Sequence, residues 1–188
     1  MLKTRLRTAL KIISLGSLAI VIYIFLHELG HTLVALACGA RITQFSIVSA
    51  HMSYVGGSFS TTAEFLFHCA GALFPVIIAV IGALFYNRRI ENIYYKLLAF
   101  FMCVIPFASS IVWILIPCIY SAGQAPAGDD VTKALDVFCA NGGSPFVIGI
   151  GAVIVFVCGI TLMLLKGIPQ NFVRSIKALR MRISKSEN

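Results

Sequence analysis

The chain has 188 residues, 59% hydrophobic and only 12% charged, with a mean hydropathy of +0.94 and a formal net charge of +8. A soluble domain carries roughly 25% charged residues, so too little polar surface remains here to cover one, and the composition defines an integral membrane protein. The positive charge is not read as a nucleic-acid surface, because it falls in groups beside apolar stretches and no nucleic-acid-binding motif accompanies it.

Four apolar stretches approach the length of about 20 residues that spans a bilayer. They run from about Ile12 to Ala37, Phe65 to Tyr86, Tyr94 to Tyr120 and Pro145 to Leu165. Basic residues 1–11 ahead of the first stretch resemble the start of a signal peptide, with Ala35-Leu36-Ala37 as a cleavage site. Cleavage there would discard two histidines and a glutamate, so an uncleaved first span is the better reading. Between the first two stretches, residues 41–62 alternate Ile, Val, Phe, Tyr, Ser and Thr and contain Gly56-Gly57, a pattern for a β-hairpin or short strands at the membrane surface. Residues 121–130, SAGQAPAGDD, form a small-residue loop. Asp129 then stands at an N-cap position ahead of a short amphipathic helix to about Phe138.

The expected fold class is an all-α polytopic membrane protein: about four transmembrane helices, with a short membrane-associated β-hairpin between the first and second. Residues 1–168 form the membrane-embedded core and 169–188 a basic cytoplasmic tail. Lys3, Arg5, Arg7, Lys11, Arg88, Arg89 and the tail residues flank the spans, whereas 121–144 carries Asp129, Asp130 and Asp136 against Lys133. The excess of Lys and Arg on one side puts both termini in the cytoplasm, beside anionic lipid, and 38–64 and 121–144 on the opposite side. A multi-pass protein of this kind lies in the plasma membrane if it is bacterial. The six cysteines form no CxxC pair and mostly read as small buried hydrophobes. Cys38 and Cys139 share the outer side, which leaves a disulfide between them as an alternative.

The first span contains His27-Glu28-Leu29-Gly30-His31, a HExxH pattern. On a helix, residues four apart share a face, so both imidazoles can hold one metal ion, and Glu28 is placed to take a proton from water as general base. An ionisable residue inside a span costs at least about 2.5 kcal/mol. Three within five positions need compensation, which a bound cation supplies. The bland reading is that these residues sit at the interface or hydrogen-bond neighbouring helices without a metal. A catalytic zinc takes three protein ligands and keeps one open position, so a third ligand is needed from the same membrane side. That requirement removes Glu91 and Glu187, and Asp129 and Asp130 stand on the correct side where the 121–128 loop meets a helix start. Glu64 and His68, four apart near the same side, read as a solvated helix start or as a pair close to substrate. His51 reads as a surface residue, and Pro75, Pro106 and Pro117 as kinks in spans.

HELGH in an early span, a strand-like 41–62, CAGALFPVI at 69–77 and an Asp at a later loop-to-helix junction together resemble the site-2 protease family of intramembrane zinc metalloproteases. The resemblance covers most of 15–140, without a PDZ-like domain. It implies one zinc ion held by His27, His31 and Asp130, with Glu28 as catalytic base. DVTKAL fits the family's spacing best from Asp130; Asp129 is the alternative third ligand and otherwise caps the helix. The family's Asn-Pro and Asp-Gly are absent here, with Gln124 as a substitute for the Asn. The implied function is hydrolysis of peptide bonds within or next to a transmembrane segment of a membrane-protein or peptide substrate. The alternatives are a non-catalytic metal-binding membrane protein and an inactive adaptor that binds transmembrane segments. Oligomeric state is not encoded in any of these features.

Overall fold

A computed structural model describes residues 2–185. The last three residues of the expected tail, Glu187 among them, lie outside the described residues. In chain order the elements are α1 (Leu2–Ala37), β1 (Ala40–Ser46), β2 (His51–Gly56), α2 (Thr61–Leu84), α3 (Ile93–Ser121), α4 (Asp130–Ala140), α5 (Pro145–Leu165) and α6 (Ile168–Lys185). Helices α1, α2, α3 and α5 are long and apolar enough to cross a membrane. The molecule is a helical, polytopic membrane protein with one small antiparallel hairpin between its first two spans.

Helix α1 absorbs the basic N-terminal segment into one run of 36 residues. At 1.5 Å per residue that is about 54 Å, against a hydrocarbon core of about 30 Å, so α1 extends past the bilayer core. Helix α2 begins where the Ser60 hydroxyl accepts from the Ala63 N–H, the bond expected of an N-cap serine. Asn92 caps α3 in the same way, its side chain accepting from the N–H groups of Tyr94 and Tyr95. All three predicted proline positions lie inside helices that continue through them, Pro75 in α2 and Pro106 and Pro117 in α3.

The hairpin differs from the sequence reading in its turn. Strands β1 and β2 pair from Ala40 opposite Gly56 to Ser46 opposite His51. The turn between them is therefore 47–50, and Gly56-Gly57 instead ends β2. Both glycines have positive φ, 70° and 84°, a conformation that costs glycine little. A Cβ on Gly57 would also come within 2.9 Å of the Ala40 side chain. These glycines turn the chain out of the sheet towards α2.

The main core lies where α2, α3 and α5 meet. Val76, Ala79 and Ala83 of α2 pack with Cys103 and Phe107 of α3, Met163 of α5 and Ile168 of α6. Gly159 lets α5 approach the ring of Phe107, which occupies the place a Cβ would need. A second cluster joins Ile93 and Leu97 of α3 to Leu179 and Ile183 of α6, and a third sets Val131 and Leu135 of α4 on Ile116 of α3. The three clusters fix α6 at one end of α3 and α4 at the other. All six cysteines are free thiols, so Cys38 and Cys139 form no disulfide.

Candidate metal centre

His27, Glu28 and His31 share α1, and a pair of glycines brings that face against α2. A Cβ on Gly30 would overlap the Ala70 carbonyl of α2. Conversely, a Cβ on Gly71 of α2 would collide with the His31 ring and come within 2.6 Å of His27 Nε2. Gly30 thus lets α1 approach the backbone of α2, and Gly71 leaves room for the two imidazoles. The small residues of CAGALFPVI have a local reason: they make room for two imidazoles.

Hydrogen bonding orients the second ring. His31 Nδ1 lies 2.6 Å from the Phe67 carbonyl oxygen. A carbonyl only accepts, so Nδ1 carries the hydrogen and Nε2 of the neutral ring presents a lone pair. Nε2 of His31 lies 3.3 Å from Nε2 of His27 and 3.1 Å from Oδ2 of Asp130. His27 Nε2 is also 3.1 Å from that oxygen. Glu28 and His31 are both buried, at 4% exposure each, and the Thr32 hydroxyl donates to the Glu28 backbone carbonyl at 2.8 Å.

The two neighbouring aspartates have different duties. Oδ1 of Asp129 accepts from the N–H groups of Val131 and Thr132 at 2.9 and 3.0 Å, and Oδ2 takes the Thr132 hydroxyl. Its oxygens are spent on opening α4. Asp130, the first residue inside the helix, sends its carboxylate across to α1. Burial alone would raise its pKa, but the two imidazoles beside it hold the carboxyl well below the usual range.

These donors suit a zinc ion. Bonds of about 2.0–2.1 Å in tetrahedral geometry put ligand atoms about 3.3–3.4 Å apart, close to the observed 3.1, 3.1 and 3.3 Å. Two imidazole nitrogens and a carboxylate oxygen converge at one point, where a shared cation is favourable. Two nitrogens and one oxygen are also a donor set that zinc accepts. His27 is held less firmly than His31, since its Nδ1 is buried with no hydrogen-bond partner among the described residues.

The triad and Glu28 line a cleft of about 330 Å³. One wall is the hairpin, through Ala50, His51 and Met52; another is the start of α4 with Gly128, Asp129 and Lys133. His51 and Lys133 had no place in the sequence-based site. Alternation along β2 could have flagged His51, but nothing in the sequence showed which face meets the span. Glu64 is exposed and does not line the cleft, while Nδ1 of His68 is buried without a hydrogen-bond partner among the described residues. Gln124 is exposed as well, outside the cleft lining.

A polytopic membrane protein whose first span offers a HExxH face to a carboxylate from a later helix belongs with the membrane-embedded peptidases. A family model described as Peptidase M50B-like matches residues 8–125, well over half of the chain, and the chain belongs to this family, among the site-2 proteases. No curated protein and no solved structure matches it. The matched region stops five residues before Asp130, so that residue's position beside the histidines comes from the geometry alone.

Proposed function

We propose that this chain is an intramembrane zinc metalloprotease that hydrolyses peptide bonds within or next to a transmembrane segment of a membrane-bound substrate. The observation that carries the reading is the convergence of His27 Nε2, His31 Nε2 and Asp130 Oδ2 beside buried Glu28 in one cleft. His27, His31 and Asp130 hold the ion. When bound, zinc polarises a carbonyl and brings the pKa of water towards neutrality.

The rest is done by the chain. Glu28 adjoins the first histidine and faces the same cleft, where it takes a proton from water and hands it to the leaving amine. A helical substrate keeps its carbonyls in its own hydrogen bonds, so the segment to be cut has to be extended first. The hairpin lies along the cleft and offers strand edges whose backbone groups replace those bonds. The loop 121–128 meets the same cleft at Gly128 and is mostly exposed, which gives water a route to Glu28. In this reading both termini are cytoplasmic, the cleft opens on the outer side, and lipid and a membrane-protein substrate are the partners.

The test pairs zinc content with cleavage of a co-expressed membrane substrate. Glu28→Gln is expected to keep its zinc and lose at least about a hundredfold in rate, the lower range for a general base. A Glu28→Gln protein that cleaves normally would remove Glu28 as the base. Wild-type protein that purifies without zinc and does not take it up would favour an adaptor that binds membrane segments.

A further inference from the structure

Lys133 lines the cleft one turn along α4 from Asp129. Helical spacing offers it three carboxylates, at i−4, i−3 and i+3, yet each is engaged elsewhere. Asp129 caps α4, Asp130 faces the two imidazoles, and Asp136 accepts from the Tyr120 hydroxyl at 2.9 Å. Lys133 has no ion-pair partner among the described residues. An ammonium this close to a place for a dication opposes metal binding by like-charge repulsion, so Lys133 does not serve the metal centre.

On the hairpin wall of the same cleft stands His51. Its Nε2 lies 2.8 Å from the Ser53 hydroxyl, two residues along the strand and on the same face. That contact orients the ring and leaves Nδ1 without a hydrogen bond among the described residues. Ala50, just before it, has φ of +45°, rare for a residue with a side chain. Backbone held in such a region gathers at functional sites, and here it ends the turn that delivers His51 to the cleft.

We propose that Lys133 and His51 form a subsite for an acidic side chain of the substrate next to the scissile bond, with Lys133 the residue that determines this specificity. The proposal rests on the metalloprotease reading above. The substrate carboxylate supplies the ion pair that Asp129, Asp130 and Asp136 do not, and a ring N–H of His51 donates to its second oxygen. The two aspartates that line the cleft do not repel it strongly, which leaves Glu28 as the one uncompensated carboxylate of the lining. The charge of Asp130 is met by the metal centre, and that of Asp129 by the amides and positive end of α4.

The full chain, loaded with zinc, is given a panel of model transmembrane segments carrying one Asp, Asn or Lys scanned along the outer half, and the cuts are read by mass spectrometry. Wild-type protein is expected to favour Asp over Asn at one position beside the cut and to disfavour Lys there, each by about tenfold in kcat/KM. Lys133→Glu is expected to reverse that order, Lys133→Gln to flatten it, and His51→Gln to reduce it. Zinc content and thermal stability of each variant separate a changed preference from a damaged fold. If Lys133→Glu slows every segment equally, or none, Lys133 is a solvated rim lysine and the subsite is wrong. Wild-type protein that cleaves no segment, like Glu28→Gln, removes the protease reading and this one with it; cleavage without charge reversal removes only the subsite.

Discussion

Helices α4 and α6 are both short and amphipathic, and they pack on opposite ends of α3. Helix α4 buries Val131, Ala134 and Leu135, the last two wholly, against Ile116 and its neighbours. Helix α6 buries Leu179 and Ile183 against Ile93 and Leu97, while Phe172 stacks on Phe100 with ring centroids 3.9 Å apart. The packing is of one kind, but the polar faces are not. Helix α6 turns Arg174, Lys177, Arg180 and Arg182 outward. Helix α4 places Asp130 at its N-terminus, where the helix points at the α1 histidines. An amphipathic pattern thus says where such a helix docks, and the residue at its first turn decides whether docking builds a site.

The sharpest way to break this comparison is Asp130→Asn. Losing a partner of a metal ligand already costs 10–100-fold in affinity, so losing a ligand is expected to cost more than about a hundredfold. Zinc retained after chelator dialysis measures it, and full retention would remove Asp130 from the centre. Next come paired cavities. Leu135→Ala in α4 and Leu179→Ala in α6 each delete a buried leucine, at about 2–5 kcal/mol of stability. Equal losses in Tm are expected with unequal losses in zinc affinity: Leu135→Ala loosens the helix that carries Asp130, and Leu179→Ala does not. If both variants lose zinc alike, α4 has no separate link to the metal centre.

Much of this organisation was legible in the sequence because its signals are local. Spans show as apolar runs, and their ends fell within a few residues of α2, α3 and α5. HELGH shows its own geometry, since positions four apart on a helix must share a face. The Asp129-Asp130 pair was legible only as a pair: both lie on the correct side, and which one caps the helix is decided by where α4 begins. What stayed hidden was long-range. Gly71 looks like any small residue until α1 crosses it, and the facing of His51 depends on a turn at 47–50 that Gly56-Gly57 did not signal. Lys133 entered the sequence reading only in the charge balance of 121–144, because its committed neighbours are visible only in the fold.

The smallest effects compare the two helices at single polar residues. Asp129→Ala removes a cap that satisfies two backbone N–H groups of α4, at about 1 kcal/mol. Lys177→Gln on the exposed face of α6 removes a charge with no described partner and is expected to change stability by no more than about 0.5 kcal/mol. Asp129→Ala also frays the turn containing Asp130, so zinc affinity is expected to fall a few-fold, while Lys177→Gln leaves it unchanged. Competition with a zinc-binding dye resolves both at once. A large loss with Asp129→Ala, comparable with that of Asp130→Asn, would mean that the two aspartates share the ion and that the cap is a secondary duty. A few-fold loss keeps their duties distinct, with Asp129 shaping the helix start and Asp130 reaching the histidines.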